Sequence, residues 1–465
     1  MSKKTRVIIM LFVLANAGVF SQSWSGLGNC LSGYNTGKMI DYQNNLYIAG
    51  AGIASCSNMK DTGLIFFDGQ KFNPVSGTED AEIYDMTIYN DTLVLGGGFT
   101  YAGTDPWPGP NTTYHLAKWN GSNWSTGNVL GDDGFGIYAV AVYKGELYIG
   151  GNFTQINGQP FGRIAKWNGS QWTSVGGGFP LTNCNYVIDC MAVFNGELYV
   201  GGEISLPNGP NGNCYNCVRW NGAKWDSVGG QIGPGDVFAL CPDTVNNKLY
   251  IGGPISYAGS NTVHTVAVWD GTTLSAPGWC PVDGAPTLAM FKNELYVGGL
   301  GFNDTILAKY NGSSWAIVDK RHNVGINALC VYNGNLYAGG SFDSIGGVAA
   351  KNIACYGSTC PQGVGVQELQ VSGLKFKVYP NPAKREINIE LTASPQPSPK
   401  ERGFVARVKN SLGQNIFEQK FEKELKINTS DFRKGIYFVE VCDLTPNPSP
   451  GGEGRLCHTE KIVLE

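Results

Sequence analysis

Few side chains in this chain are placed to do chemistry, and they are scattered. Asp132 and Asp133 sit in Gly131-Asp-Asp-Gly134. Paired carboxylates can ligate calcium or act as acid and base, and adjacent Asp residues between glycines also simply form turns. Trp107, held between Pro106 and Pro108, offers a stiff indole. It suits stacking on a sugar ring, anchoring a protein partner, or packing over a neighbouring loop. Phe161, Arg163 and Tyr215 occupy matching loops, where ordinary packing competes with contact to a ligand. His115, His264 and His322 fall in separate repeats, so no metal site is expected from them. The chain has no Walker loop, no His-Glu-x-x-His and no Gly-x-Ser-x-Gly. No catalytic residue and no cofactor is assigned.

The elements that must position these residues are β-strands. With 65 Gly, 11 Trp, 22 Tyr and 15% charged residues, the composition excludes both a disordered chain and a helical bundle. The net charge of −4 gives no basic field for nucleic acid. One unit recurs, an apolar run closing on a glycine doublet, as in Leu147-Tyr-Ile-Gly-Gly151 and Leu198-Tyr-Val-Gly-Gly202. The leading leucines, Leu46, Leu93, Leu147, Leu198, Leu249, Leu295 and Leu336, lie 41 to 54 residues apart. That period suits one four-stranded propeller blade per repeat.

In the third copy Ile137–Tyr143 alternates as a first strand, and Lys144-Gly145 turns it into a second. A loop of variable length leads to Arg163–Trp167, and Asn168-Gly169 reads as a tight hairpin with positive φ at both positions. The hairpin puts Trp167 and Trp172 on one face. Third strands end near Phe67, Trp119, Trp167, Trp220, Trp269, Tyr310 and Tyr356, but fourth strands follow only six of them. Trp24-Ser-Gly-Leu-Gly28 supplies the seventh. The expected fold is all-β: a seven-bladed β-propeller over residues 22–360, its last blade closed by the N-terminal strand. Such a clasp leaves no open sheet edge. The repeat resembles the kelch-type and galactose-oxidase-like propeller repeats, a resemblance that implies a fold and no particular activity.

Composition changes near residue 373. All 11 Trp lie before it, and residues 373–465 hold 15 Lys+Arg and 12 Asp+Glu. Residues 361–372 read as a linker. The tail contains Phe376-Lys-Val-Tyr-Pro-Asn-Pro-Ala383, Asn410-Ser-Leu-Gly-Gln-Asn-Ile416 and Gly435-Ile-Tyr-Phe-Val-Glu-Val441, alternating runs that read as a small β-sandwich. This order resembles the type A sorting domain of the Bacteroidetes type IX secretion system. The resemblance implies that residues 373–465 engage that machinery and that the rest is released or anchored at the surface. Pro-rich stretches at 394–403 and 445–455 read as insertions in interstrand loops.

Lys3, Lys4 and Arg6 before the apolar run Val7–Leu14 mark residues 1–21 as a signal peptide, and no later segment is long enough to span a membrane. In an exported chain the 13 Cys permit disulfides, and the sequence-close candidates are Cys184–Cys190, Cys214–Cys217, Cys355–Cys360 and Cys442–Cys457. Loops that vary between repeats cluster at one end of the strands, the default binding surface. The expected function is a secreted or surface module binding an extracellular glycan or protein without catalysis. The alternatives are a structural envelope component, or a carbohydrate-active enzyme using Asp132 and Asp133.

Overall fold

In a computed structural model of the chain, the described residues are 23–27, 35–53, 62–78, 82–99, 102–103, 115–127, 129, 136–179, 187–206, 214–301, 304–321, 324–361, 375–379, 386–393, 404–410, 414–421, 424–430, 432, 434–443 and 457–464. The chain forms two compact units, Met1–Val366 and Gln367–Glu465, and every regular element described is a strand.

Among the described residues, the first unit contains seven four-stranded antiparallel sheets, one per repeat. Their first strands are Asn35–Tyr42, Ile83–Tyr89, Ile137–Tyr143, Val187–Phe194, Ala239–Asp243, Thr287–Phe291 and Gly325–Tyr332. Each first strand contacts the next, and the seventh contacts the first. The seventh sheet draws three strands from its own repeat and its outer strand from Ser23–Gly26, which pairs with Ile353–Gly357 so that Trp24 lies opposite Tyr356.

The glycine doublet has a steric cause. In the third sheet a Cβ on Gly150 would lie 2.5 Å from Ile188 Cγ2 of the following sheet. A Cβ on Gly151 would overlap the carbonyl oxygen of Gly136, which leads into its own sheet's first strand. The first glycine thus lets neighbouring sheets close together, and the second lets the inner hairpin pinch. Between each pair of consecutive sheets lies an apolar core. The last joins Leu46, Ile48 and Phe67 of the first sheet to Tyr337, Ile353 and Cys355 of the seventh.

Aromatic residues stitch these interfaces with hydrogen bonds. Trp124, Trp225 and Trp315 each donate Nε1–H to a backbone carbonyl of the preceding sheet's end, Ser76, Val175 and Pro277, at 2.8 to 3.1 Å. Trp119 and Trp269 donate to Tyr47 and Tyr199. The Tyr332 hydroxyl donates to the Asn44 carbonyl at 2.7 Å, tying the seventh sheet to the first. Trp167 and Trp172 do face one another across their hairpin, rings 5.3 Å apart.

The turn between them differs from the expected one. It spans residues 168–171, and only Gly169 has positive φ. Asn168 is there for its side chain, whose Oδ1 accepts from the backbone N–H groups of Ser170 and Gln171. The two-residue turns with φ near +50° at the first position are those between first and second strands, such as Lys144-Gly145.

The second unit has a three-stranded sheet, Lys375–Tyr379, Glu386–Ala393 and Glu424–Asn428, and a four-stranded sheet of Asn415–Phe421, Phe404–Asn410, Gly435–Asp443 and Cys457–Leu464. One apolar core, including Val378, Ile389, Val408, Leu425 and Val439, joins them. The Pro-rich stretches lie outside the described residues.

Candidate functional site

Strand polarity places the tight turns at one end of the seven sheets and the long connections at the other. Trp107, Asp132, Asp133, His322 and Cys184 belong to segments outside the described residues. Phe161 and Tyr215 are half-buried and pack against the cores beside their loops. Arg163, also half-buried, has φ +65°, and its carbonyl accepts from Gly151 N–H at 3.1 Å. His115 is buried. Among the described residues, Phe161 and Tyr215 pack against different cores.

The long-connection end does present one strongly exposed aromatic side chain that the sequence reading passed over. Trp279, on the connection between the fifth and sixth sheets, is 72% exposed. Its ring stacks on His264, from the long loop of the fifth sheet, at 3.8 Å and 20° between planes. His264 Nδ1 lies 2.6 Å from the Cys280 carbonyl and 3.1 Å from Thr265 Oγ1, which itself donates to Val282. One face of the indole is therefore fixed and the other is left to solvent. The signal was present in Ala276-Pro-Gly-Trp-Cys-Pro281, a tryptophan among turn residues outside any strand pattern, as at Trp107.

A second feature lies among the first strands. Five of them carry a register shift against their second strand, and the residue skipped is Gly37, Tyr84, Tyr138, Asp189 or Asn327. A bulge of this kind re-aims a side chain. Together with Phe238 and Pro286, at the same place in the fifth and sixth sheets, these residues line one cavity of about 170 Å³. Tyr84 and Tyr138 stack at 4.8 Å and 8°, and Tyr84 donates its hydroxyl to Glu82 at 2.8 Å. Lys38 reaches Asp85 at 2.9 Å, and Asp85 also accepts from the N–H groups of Met86 and Val140. The charge of Asp85 holds the Lys38 ammonium above its ordinary pKa, against the cost of burial.

Asp189 has no such support. Its Oδ2 is buried with no hydrogen-bond partner. Burial, reinforced by Asp236 and Glu203, pushes its carboxyl from 3.8 up to about 7. The folded carboxyl thus keeps its proton to higher pH than the unfolded one, so stability falls as pH rises from 3.8 through about 7. Asp189→Asn is expected to flatten that fall. Urea unfolding of both proteins between about pH 5 and pH 8 checks it, and parallel curves for the two would contradict it.

Two of the cysteine pairings expected from spacing do not form. Cys190 is a free thiol, its Sγ 3.3 Å from the Val237 carbonyl. Cys217 is free and buried, whereas Cys214 is disulfide-bonded elsewhere. Residues three apart in extended chain point to opposite faces, and Cys217 lies in a third strand opposite Gly201. Cys355 and Cys360 form a disulfide with Cα atoms 5.7 Å apart. Cys442 lies opposite Cys457 in the register of the second unit.

In that second unit the strand order spans a segment, residues 377–447, that matches the family described as secretion system C-terminal sorting domain. This segment is a sorting domain. It directs type IX export, to the cell surface or into the medium. Among the described residues no helix is long and apolar enough to cross a membrane.

No curated protein matches the chain. Among solved structures, the extracellular domain of a hybrid two-component system from B. thetaiotaomicron is similar at 11% identity and a TM-score of 0.44, over 96% of this chain and 59% of that one. That of a one-component system from the same organism is similar at 10% and 0.42, over 96% and 58%. The chain thus spans less than two thirds of either domain's length. Trypanosoma rangeli sialidase in complex with sialic acid is similar at 9% and 0.32, over 94% of this chain and 88% of that one.

Proposed function

We propose that this chain is an exported, non-catalytic binding protein whose first unit is a seven-bladed β-propeller of kelch-like repeats. Its long-loop end holds an extracellular glycan. The observation that carries the reading is Trp279, an indole 72% exposed yet fixed on one face by His264. A flat apolar surface held in water at a fixed angle suits the face of a sugar ring, and it costs little side-chain entropy to use. The sorting domain supports the compartment, since it delivers the first unit to where polysaccharide is found.

Retention of the purified full chain on a panel of immobilised polysaccharides tests this. Trp279→Ala is expected to lower affinity at least about tenfold for the retained glycan, with no change in melting temperature because the side chain supports no core. A panel that retains nothing, or a Trp279→Ala variant retained as well as wild type, would remove the glycan reading. A protein ligand would then take its place.

A further inference from the structure

We propose that the cavity enclosed by the seven first strands is a binding site for a small organic ammonium ion, held by the Asp189 carboxylate and the aromatic rings of Tyr138, Tyr84 and Phe238. This site is separate from the Trp279 surface and serves a different class of ligand.

Three observations converge on that chemistry. The first is size: about 170 Å³ is below the roughly 300–1,000 Å³ of pockets that take drug-sized molecules, so a sugar chain or peptide does not enter. The second is charge. Lys38 is the cation lining the cavity, and it is neutralised by Asp85. Glu203 and Asp236 stand behind Asp189, and among the described residues none of the three has a lysine or arginine at ion-pair distance. Negative charge without a cationic partner therefore gathers beside the cavity, around a buried Asp189 oxygen with no hydrogen-bond partner. Burying an unpaired carboxylate is costly, and a cation seated beside it would repay that cost.

The third is the lining. Tyr84, Tyr138, Asp189 and Phe238 come from four successive sheets, so Asp189 lies between Tyr138 and Phe238 on one tier of the cavity, with Tyr84 stacked on Tyr138. Aromatic faces attract weakly hydrated organic cations more than strongly hydrated metal ions. Among the described residues, no group of three or more His, Cys, Asp and Glu could hold a metal.

Binding also has a proton signature. The groups that face Asp189 are Glu203, Asp236, Tyr138 and the Cys190 thiol, with the Lys38–Asp85 pair across the cavity. An ammonium ion favours the ionised carboxylate, so affinity is expected to rise with pH through about 7 and binding below that pH to release a proton.

Calorimetric titration of the full chain with choline chloride at about pH 8, against the neutral isostere 3,3-dimethylbutanol and against potassium chloride, tests the site. Choline is expected to bind at least about tenfold tighter than the isostere and to resist an equal concentration of potassium. Asp189→Asn should abolish that preference while leaving the melting temperature unchanged or higher, which shows the variant folded. Tyr138→Leu should weaken choline binding, and Trp279→Ala should leave it intact even if the glycan reading fails. Equal binding of choline and the isostere would overturn the proposal, as would displacement by potassium or full retention in Asp189→Asn.

Discussion

Gly151→Ala is expected to destabilise the first unit by about 3 kcal/mol or more, whereas Gly37→Ala changes its stability by less than about 1 kcal/mol. Both glycines belong to inner hairpins, but their surroundings differ. The added methyl at Gly151 would overlap the Gly136 carbonyl oxygen, a backbone atom that no rotamer change can move. At Gly37 the nearest atom to such a methyl is the Ile83 carbonyl oxygen at 3.5 Å, an ordinary contact. Urea unfolding followed by tryptophan fluorescence reads the effect on the first unit alone, because all 11 Trp precede residue 373. Equal midpoints for the two variants would mean that the doublet does not set the spacing of the inner hairpin.

Trp225→Ala should cost about 3–5 kcal/mol, the range for removing a large buried aromatic side chain. Trp225 is 9% exposed, lies 5.1 Å from Trp220 and 4.8 Å from Phe179, and donates to the Val175 carbonyl at 3.1 Å. Truncation leaves a cavity between two sheets and takes from the Val175 carbonyl one of its two donors, Gly178 N–H remaining. Trp225→Phe keeps most of the packing and loses the hydrogen bond, so it should cost about 1–2 kcal/mol. If the two variants unfold at the same urea concentration, the hydrogen bond rather than the packing holds that interface.

The repeating skeleton was legible because its causes are local. A glycine doublet after an alternating run is needed in almost every sheet for the same two steric reasons, so the sequence prints it at a regular period. The paired tryptophans were legible for the same reason, since a hairpin register fixes which residues face each other. What could not be read depended on neighbours distant in sequence. By spacing Cys190 looks like the partner of Cys184 and Cys217 like that of Cys214, yet each is a free thiol within a strand. Asn168 looks like the first residue of a tight turn, yet it caps a longer one with its side chain. The cavity tier was hidden because the extra residue sits near the start of each strand, where the apolar alternation has barely begun. Its trace is a position near or just before the start of each first strand that reads Gly, Tyr, Tyr, Asp, Phe, Pro and Asn, after a residue that is apolar in six of the seven repeats. A position that varies so freely inside an otherwise repetitive unit is one that the packing of the strands does not dictate.

The seventh sheet joins a strand at residues 23–26 to three strands from residues 325–357. A segment made early therefore waits for one made some three hundred residues later before it has anything to pair with. Six sheets can assemble in order as the chain emerges, but the circle stays open until its last repeat is complete. Loop-closure entropy grows only slowly with length, so the delay is chiefly one of timing. Once made, the Ile353–Gly357 strand has a bare edge until residues 23–26 dock on it, and a second copy could supply its own residues 23–26 instead. Closure thus competes with exchange between chains, and crowded, incompletely exported copies are where linked dimers of this protein should arise.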